Sequence, residues 1–319
     1  MISFDHTKTD KKPLLVILGP TASGKTKLAV NLSSAINGEI ISADSRQVFE
    51  GMDIGTGKDL DEYIIDGRKI SYHLIDIKSA GDSYNVNEFK EDFYEAFEEI
   101  TERQVLPVLC GGSGMYIHSI LQDHEYTAIP PNATLRATLE VLEVPELRDI
   151  LSRYAHEFTA HADLSSRKRL IRAIEVSDYL TGHTLIKVER PALNSCVIGL
   201  ASAINLRRER IISRLDLRLR QGLIEEVEAL IKRGVSKEKL IFYGLEYKFV
   251  VSYLSGEMDY GTLQERLAVA ICQFAKRQMT FFRKMEKDGV KINWINSDRT
   301  DDLMDQALSL YDKNLKRIR

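Results

Sequence analysis

The sequence has little cysteine and no long apolar stretch. Its three cysteines, Cys110, Cys196 and Cys272, are odd in number and far apart, and no C-x-x-C spacing occurs. This pattern excludes a disulfide framework and a cysteine-ligated metal site, and it predicts a reducing compartment. No run of eighteen apolar residues is present, and the first twelve residues, MISFDHTKTDKK, are polar. We therefore expect a cytoplasmic protein with neither a transmembrane helix nor a signal peptide.

The sequence also lacks an excess of positive charge. The formal net charge is -3, and 29% of the residues are charged while 44% are hydrophobic, which is typical of a globular protein. This charge does not by itself indicate a nucleic-acid-binding protein, although only a local basic patch matters to a phosphate backbone. With 319 residues the chain can bury a sizeable core in one or two domains.

The first part of the chain alternates between predicted strands and helices. After a loose tail at 1–12, strands are predicted at LLVIL (14–18), GEIISA (38–43), ISYHLIDI (70–77) and VLPVLC (105–110), with helices at 25–36 and 85–104. Strands and helices at these spacings predict an α/β fold, in which a P-loop parallel sheet is flanked by helices.

A helical region interrupts this pattern. Residues 123–189 show amphipathic helical periodicity at 133–143, 146–158 and 167–182, without a convincing strand. SCVIGLAS (195–202) predicts a strand that returns to the sheet, and arginine-rich helices follow at 207–222 and 262–286. We therefore predict a discontinuous catalytic core of 1–122 and 190–319, with an all-helical insertion domain at 123–189.

The stretch GPTASGKT, residues 19–26, matches the phosphate-binding pattern G-x-x-x-x-G-K-[ST]. Glycines let successive backbone N–H groups converge on anionic oxygens, Lys25 adds a positive charge, and Thr26 can reach a magnesium ion. The alternative is a glycine turn that only joins a strand to a helix. The pattern is typical of nucleotide-binding and ATP-binding proteins, but it does not specify which molecule carries the phosphates.

An aspartate ends the strand that follows the loop and its helix. In an open parallel sheet the carboxyl ends of the strands are where ligands bind, and Asp44 lies there. Asp44 could be a magnesium ligand, a general base or a helix cap. Asp76, in HLIDI, is a second candidate for a magnesium ligand, and Cys110 ends the strand where an acidic residue is often found.

Polar residues surround this aspartate. Arg46 could contact phosphate or stack, and Gln47 could hydrogen-bond a base edge. Ser113, in the turn GGSG, brings a hydroxyl to the same sheet edge, although this turn could also be a simple strand-to-helix connection.

These motifs together resemble the tRNA dimethylallyltransferase family, also called tRNA isopentenyltransferases. The resemblance covers most of the chain, from GPTASGKT through ISADSRQVFEGMDIGTGK, YHLIDI and GGSGMY to RLIRAIEV and AKRQMTFFR. ADSRQVF followed by GMDIGT is specific, because ordinary P-loop kinases do not carry it.

The resemblance implies that the loop holds the diphosphate of dimethylallyl diphosphate rather than a nucleotide triphosphate. The prenyl group would go to the exocyclic N6 amine of the adenosine just 3′ of the anticodon. Asp44 would be the general base and Ser113 would orient the amine, with Lys25 and Thr26 completing the catalytic set. The implied diphosphate-binding residues are Gly19, Thr21, Ala22, Ser23, Gly24, Lys25, Thr26 and Arg214, with Mg²⁺ held through Thr26.

The resemblance also implies a tRNA surface, directed at the anticodon stem-loop. Its implied residues are Asp44, Ser45, Arg46, Gln47, Ser113, Arg136, Lys168, Arg169, Arg172, Lys276, Arg277, Gln278 and Arg283. The chain departs from the family pattern at Lys168, at Ile271–Cys272, and at Glu246-Tyr247-Lys248, where Gly-Tyr-Arg is common. We expect a monomer that binds tRNA and dimethylallyl diphosphate but no membrane.

Three alternatives remain open at this point. An adenylate isopentenyltransferase would prenylate a free nucleotide, but it would not need the helical insertion or the basic helices. A small-molecule kinase would use ATP in the same loop, which leaves ADSRQVF unexplained. A non-catalytic RNA-binding paralogue would fit the departures on the acceptor side, but not the intact Lys25, Thr26 and Asp44.

Overall fold

A six-stranded parallel sheet forms the centre of the fold in the computed structural model, which describes residues 11–160, 162–299 and 301–315. Its strands, in chain order, are β1 (Lys12–Leu18), β2 (Gly38–Ala43), β5 (Tyr72–His73), β6 (Leu106–Gly111), β7 (Leu193–Ala201) and β8 (Ile292–Asn296). The spatial order is β5-β2-β6-β1-β7-β8. A separate antiparallel hairpin pairs β3 (Ile64–Ile65) with β4 (Arg68–Lys69). The predicted fold class is confirmed.

Helices connect these strands and cover the sheet. Those of the sheet-containing part are α1 (Lys25–Ile36), α2 (Val86–Glu102), α3 (Gly114–Leu121), α8 (Ile204–Arg220), α9 (Leu223–Lys232), α10 (Lys237–Tyr243), α11 (Leu245–Leu254), α12 (Tyr260–Lys287) and α13 (Leu303–Asn314). Between α3 and β7 lie α4 (Ala133–Leu139), α5 (Val144–Ser152), α6 (His156–Thr159) and α7 (Arg167–Gly182). Residues Leu60–Tyr63 and Glu125–Ala128 form single turns of 3₁₀ helix.

The central strand β1 is buried on both faces of the sheet. Leu14, Val16 and Leu18 face a cluster that includes the aromatic side chains of α2, whereas Leu15 and Ile17 face a second cluster that includes α1. All five side chains are fully buried. A strand covered on both faces requires apolar residues at every position, because successive side chains point to opposite faces. The run LLVIL meets this requirement.

The chain divides into two compact units. One comprises Met1–Asp123 together with Pro191–Arg319, and the other is His124–Arg190. The second unit has its own apolar core, in which leucines of α4, α5 and α7 pack together. Its buried carboxylate, Glu175, accepts a hydrogen bond from the backbone N–H of Asn132 at 3.0 Å and pairs with Arg136 at 2.5 Å.

The predicted tail and the predicted strand at 70–77 differ from the structure. Residues 1–10 of the tail lie outside the described residues, and β1 already begins at Lys12. Of ISYHLIDI, only Tyr72 and His73 form a strand. Leu74 and Asp76 have φ values of 62° and 56°, which lie in the left-handed region and end the extended conformation. The edge strand β8 has no counterpart in the prediction.

A buried lysine orders the long connection between β2 and the 3₁₀ turn that begins at Leu60. The Lys58 side chain is 1% exposed and donates to the Phe49 carbonyl at 2.8 Å and to the Asp53 carboxylate at 2.6 Å. It also pairs with Asp76. A buried ammonium requires such partners, since an unpaired charge away from water is costly. The residues GMDIGTGK therefore form an ordered loop rather than a flexible turn, and Asp76 is used within it.

Replacing Lys58 by Met should lower the free energy of unfolding by about 2–3 kcal/mol, because the substitution removes charge-assisted hydrogen bonds and leaves the Phe49 carbonyl without its donor. The matched control is Lys78→Met, whose half-exposed ammonium lies 3.6 Å from Glu88. That pair should contribute at most about 1 kcal/mol. Chemical denaturation of both variants measures the difference, and equal midpoints would contradict the assigned role of Lys58.

Candidate functional site

The phosphate loop joins β1 to the exposed N-terminus of α1. Gly24 precedes the helix with φ of 82°, a conformation that favours glycine, and no side chain caps the helix. The first-turn N–H groups of an α-helix have no partners within the helix, and they carry partial positive charge. Lys25 and Thr26 begin this helix. The local geometry is therefore that of an anion site, as GPTASGKT predicts.

A glutamine of α12 fixes the loop in place. The backbone N–H of Thr21 donates to Gln278 Oε1 at 2.9 Å, and Gln278 Nε2 donates to the Gly112 carbonyl at 3.0 Å. Gln278 is buried, so its amide links the phosphate loop to the turn after β6. The sequence assigns Gln278 to tRNA binding, and that contact stays a prediction beside this observed role.

Cationic and neutral groups surround the loop lysine. Burial lowers the pKa of the Lys25 ammonium, and the guanidinium groups of Arg214 and Arg218 lower it further, whereas the Asp44 carboxylate opposes the shift. Burial raises the pKa of the Cys110 thiol to about 12, so this thiol is neutral at physiological pH. Lys25 therefore lies near two guanidinium groups, the neutral Cys110 thiol and the Asp44 carboxylate.

The carboxyl end of β2 presents Asp44 with a defined hydrogen bond. Asp44 Oδ1 accepts from the backbone N–H of Arg46 at 2.9 Å, which fixes the carboxylate next to the strand end. Ser113 Oγ accepts from the backbone N–H of Ser45 at 3.0 Å, and its hydroxyl hydrogen can therefore be donated elsewhere. The turn GGSG and the segment DSRQ thus meet at one sheet edge, as the sequence predicts.

A cavity of about 370 Å³ opens at this edge. It brings together all four catalytic residues that the sequence predicts, Lys25, Thr26, Asp44 and Ser113. Its lining includes Thr21, Lys25, Thr26, Asp44, Ser45, Arg46, Gln47, Ser113, Arg214, Arg218, Glu246, Arg277 and Gln278. The Gln47 amide already makes two hydrogen bonds. The Ser42 hydroxyl donates to its oxygen, and its nitrogen donates to the Gly57 carbonyl.

A second cavity, of about 440 Å³, also borders the loop. Lys25, Thr26 and Arg214 line both cavities. The second cavity also includes Ala22, Ser23 and Gly24, three further residues of the phosphate loop. Gly19 does not line either cavity; a Cβ there would approach Ser23 Oγ at 2.6 Å and the Leu200 carbonyl oxygen at 3.3 Å. The loop therefore borders two cavities.

Two arginines one turn apart on α8 point toward the loop. Arg214 pairs with Asp59, and the Arg218 guanidinium lies 3.9 Å from Asp59 and 4.0 Å from Glu246. Sequence reasoning assigned Arg214 but missed Arg218. The signal was present in the spacing, because residues i and i+4 of a helix share one face.

A carboxylate of α9 holds the loop that lies over the cavity. Glu226 accepts hydrogen bonds from the backbone N–H groups of Asp53, Ile54 and Gly55, at 2.6–3.0 Å. It also accepts from the Tyr247 hydroxyl at 2.8 Å. This residue was missed as well, because nothing in the local sequence relates α9 to residues 53–55. Glu226 is a positioning residue for the segment GMDIGT.

Two arginines that line the cavity lie beside exposed aromatic side chains. Phe242 is 63% exposed, and the Arg46 guanidinium carbon lies 5.4 Å from its ring centre. Phe274 is 41% exposed, and the Arg277 guanidinium carbon lies 5.8 Å from its ring centre. Aromatic faces with neighbouring guanidinium groups are surfaces on which unpaired bases stack. Sequence reasoning did not single out either phenylalanine.

The predicted tRNA-binding residues of the helical unit differ in their surroundings. Arg136 pairs with Glu175, and Arg172 donates to the carbonyls of Tyr126 and Ile129 at 2.9 and 2.6 Å. Arg169 is half-exposed and pairs with Asp163 at 2.7 Å, and Lys168 is exposed. In α12, Lys276, Arg277 and Arg283 are also exposed. Arg136 and Arg172 therefore stabilise the unit, whatever else they contact.

The donor groups beside the loop fit a magnesium ion that is bound together with a phosphorylated ligand. Thr26 and Asp44 line the same cavity as Lys25. Mg²⁺ is typically held by one or two oxygen side chains, the phosphate oxygens of the ligand and water. Asp76, the other acidic candidate, pairs with Lys58 instead.

None of the helices in the part of the chain that the structure describes is long and apolar enough to cross a membrane.

Comparison with known proteins gives consistent matches over nearly the whole chain. A model of the IPP transferase family matches residues 47–285. tRNA dimethylallyltransferase 2 of Porphyromonas gingivalis W83 is 47% identical over 304 residues, covering 94% of this chain and 100% of that protein. tRNA dimethylallyltransferase 2 of Bacteroides fragilis NCTC 9343 is 46% identical, covering 96% and 98%.

Solved structures also resemble this fold. The full-length tRNA isopentenylpyrophosphate transferase of Bacillus halodurans has a TM-score of 0.69 and 31% identity, and the match covers 97% of both chains. A eukaryotic dimethylallyltransferase that acts on tRNA has a TM-score of 0.64 at 20% identity, which supports the fold alone. The match covers 96% of this chain and 77% of that one.

Proposed function

The chain belongs to the IPP transferase family, and from this premise we propose that it is a tRNA dimethylallyltransferase. It transfers a dimethylallyl group from dimethylallyl diphosphate to the N6 amine of the adenosine 3′ of the anticodon, and it releases diphosphate. The observation that carries this proposal is one cavity that joins a phosphate loop, a carboxylate and a set of exposed aromatic and basic groups. A phosphorylated donor and a nucleobase acceptor require these three features together.

On the donor side, the diphosphate lies over the loop, where Lys25, Thr26 and Arg214 are accessible from both cavities. The bond between the prenyl carbon and the bridging oxygen breaks, and its electron pair leaves with the diphosphate. The negative charge on the leaving oxygen grows as this bond breaks. Backbone N–H groups at the start of α1 and the Lys25 ammonium stabilise this charge without reorganisation.

On the acceptor side, the adenine leaves its stack and enters the cavity that holds Asp44. The N6 nitrogen forms the new bond to the prenyl carbon and loses one proton. Asp44 accepts this proton, since its Oδ1 is held by the Arg46 N–H while the carboxylate faces the cavity. The Ser113 hydroxyl orients the amine. The proton then passes to solvent, which returns Asp44 to its carboxylate form.

Magnesium completes the donor site in this proposal. Thr26 would hold Mg²⁺ through its hydroxyl, with the other ligands supplied by diphosphate oxygens and water. When it is bound, the ion neutralises charge on the leaving diphosphate.

The acceptor is tRNA rather than a free nucleotide. The relatives named above are called tRNA transferases, and this chain carries the helical unit His124–Arg190, which a free nucleotide does not require. The exposed side chains of Phe242 and Phe274 add stacking area, Phe274 in the lining of the cavity that contains Asp44 and Phe242 beside Arg46. We also propose that the protein acts in the cytoplasm, where tRNA is available, and that it acts as a monomer.

A substrate comparison tests this function against its rivals. The purified protein is incubated with labelled dimethylallyl diphosphate and Mg²⁺, together with bulk tRNA or AMP. We expect label in tRNA and none in AMP. Label in AMP alone indicates an adenylate isopentenyltransferase. Transfer of phosphate from labelled ATP to small molecules, without prenyl transfer, indicates a kinase.

Replacing Arg169 by Ala should weaken tRNA binding and lower the slope of log affinity against log salt by about one unit, if Arg169 contacts a phosphate. Affinity for dimethylallyl diphosphate should not change. The matched control is Arg153→Ala in the same unit, because Arg153 is 72% exposed and pairs with Asp149 as Arg169 pairs with Asp163. Equal tRNA affinities of the two variants across a salt series would assign Arg169 to a solvated surface.

A further inference from the structure

Arg218 is a buried cation at the edge of the substrate cavity. Its side chain is 10% exposed, and it lines the cavity that also contains Asp44 and Lys25. Within the described part of the chain, its Nε has no hydrogen-bond partner. Burial lowers the pKa of the Arg218 guanidinium, and Arg214 lowers it further. A buried guanidinium with an unused donor is costly unless a ligand completes its hydrogen bonds.

The two arginines converge on one point of the loop over the cavity. A Cβ at Gly57 would approach Arg218 Nη2 at 1.5 Å and Arg214 Nη2 at 2.5 Å. Gly57 also has φ of 61°, a backbone conformation that favours glycine. Both guanidinium groups are thus placed side by side against this glycine, although their charges repel.

Neither of the nearby carboxylates lies within hydrogen-bonding distance of Arg218. Arg218 lies 3.9 Å from Asp59, which Arg214 already contacts, and 4.0 Å from Glu246. Glu246 lies in the first turn of α11, where the helix N-terminus stabilises a negative charge. Burial nevertheless raises the pKa of its carboxyl, and Arg218 opposes that shift. Arg214 thus has a carboxylate partner in Asp59, whereas among the described residues Arg218 has no carboxylate at hydrogen-bonding distance and an Nε without a partner.

We propose that Arg218 is a second arginine that binds the leaving diphosphate, beside Arg214, and that Glu246 is a positioning residue that holds Arg218 in the cavity before the donor binds. This inference rests on the proposed function and names two residues of its donor site. Glu246 replaces the glycine of the Gly-Tyr-Arg segment that is common in the family. This chain therefore has a carboxylate that faces Arg218 at this position.

Diphosphate would complete the hydrogen bonds that the free site lacks. Its oxygens can accept from Arg218 Nε and Nη in the forked geometry that suits guanidinium and phosphate groups. The free diphosphate product carries more negative charge than the esterified donor. The contact should therefore strengthen as the bond breaks, and its loss should lower kcat as well as donor affinity.

The first test measures the binding of inorganic diphosphate in the presence of Mg²⁺ by isothermal titration calorimetry. Arg218→Met should bind diphosphate about 10- to 100-fold more weakly than the wild type, since it loses charged hydrogen bonds. The control is Arg220→Met, because Arg220 is exposed on the same helix and lines neither cavity of the loop. Arg220→Met should bind diphosphate as the wild type does.

The second test separates binding from folding. Arg218→Met leaves the Glu246 carboxylate buried without its cation, and this could destabilise the variant. The double variant Arg218→Met, Glu246→Gln removes both charges. It should therefore regain thermal stability and still bind diphosphate weakly. Glu246→Gln alone keeps the size of the side chain but removes the charge that faces Arg218, so it should bind diphosphate more weakly than the wild type and more tightly than Arg218→Met. Diphosphate affinity of Glu246→Gln equal to or tighter than that of the wild type would overturn the positioning role.

The outcomes distinguish this inference from the proposed function. If the wild type neither binds diphosphate nor prenylates tRNA, the proposed function fails. If the wild type does both, and the folded Arg218→Met variants bind diphosphate as Arg220→Met does, the inference about Arg218 is wrong. A loss of tRNA affinity with unchanged diphosphate affinity would also overturn it, since it would assign Arg218 to the acceptor.

Discussion

Replacing Asp44 by Asn should slow prenyl transfer by about 10²- to 10⁴-fold, the usual contribution of general-base catalysis. Asparagine keeps the shape of the side chain and an oxygen that can accept the Arg46 N–H hydrogen bond. It cannot take the proton from the adenine amine. Affinities for dimethylallyl diphosphate and for tRNA should change little, because neither depends on that proton. Single-turnover rates at saturating substrates measure the effect.

A magnesium titration of this variant distinguishes a general base from a metal ligand. If Asp44 holds Mg²⁺ instead, the variant should require more Mg²⁺ and regain its rate when the ion is in excess. The general-base assignment predicts a deficit that persists at every Mg²⁺ concentration. Glu50→Gln serves as the control, because Glu50 is an exposed carboxylate in the same segment and should leave the rate unchanged. Full rescue by Mg²⁺ would rule out the base assignment.

Replacing Lys25 by Ala should reduce the transfer rate by about 10²-fold or more, since one preorganised charged donor to a developing anion contributes that much. Donor affinity should fall as well, because Lys25 faces both cavities beside the start of α1. tRNA affinity should stay near the wild-type value. Rates and donor affinities are compared with those of Lys232→Ala, an exposed lysine at the end of α9. A near wild-type rate with normal donor affinity would contradict the diphosphate assignment.

The parts of the fold that depend on local pattern could be predicted from the sequence. LLVIL predicts a buried strand, because every position of a doubly covered strand must be apolar, and the apolar residues of GEIISA predict a second strand; both form strands of the sheet. The helix predicted at 167–182 begins and ends where α7 does. The meeting of GPTASGKT, Asp44 and Ser113 at one edge follows from the rule that ligand sites lie at the carboxyl ends of parallel strands.

The parts that depend on contacts between distant residues could not be predicted. Gln278 reaches the phosphate loop across 257 positions of sequence, and Glu226 reaches the backbone of Gly55 across 171. Nothing local indicates these contacts, since a glutamine or glutamate on a helix is usually exposed, and the family motif assigns Gln278 to tRNA instead. The strand predicted at 70–77 was too long for a related reason. Asp76 leaves the extended conformation, and its carboxylate meets Lys58 on another segment.

The structure shows where the residues that depart from the family pattern lie. Glu246 and Ile271 both line the substrate cavity, and Ile271 is buried in α12. Cys272, next to it, is half-buried. These residues change the charge and shape of the cavity wall but leave Lys25, Thr26 and Asp44 in place. Under the proposed function these differences would affect how substrates are held, while Lys25, Thr26 and Asp44 line one cavity.

The most direct test of prenyl transfer to N6 uses one RNA in two forms. An anticodon stem-loop with adenosine 3′ of the anticodon is incubated with dimethylallyl diphosphate and Mg²⁺, beside the same stem-loop with purine riboside, which lacks the amine, at that position. Mass spectrometry of the digested RNA then reports the modified nucleoside. We predict one added isopentenyl unit on that adenosine and none on the purine form. Equal modification of both RNAs, or modification of neither, would contradict the account.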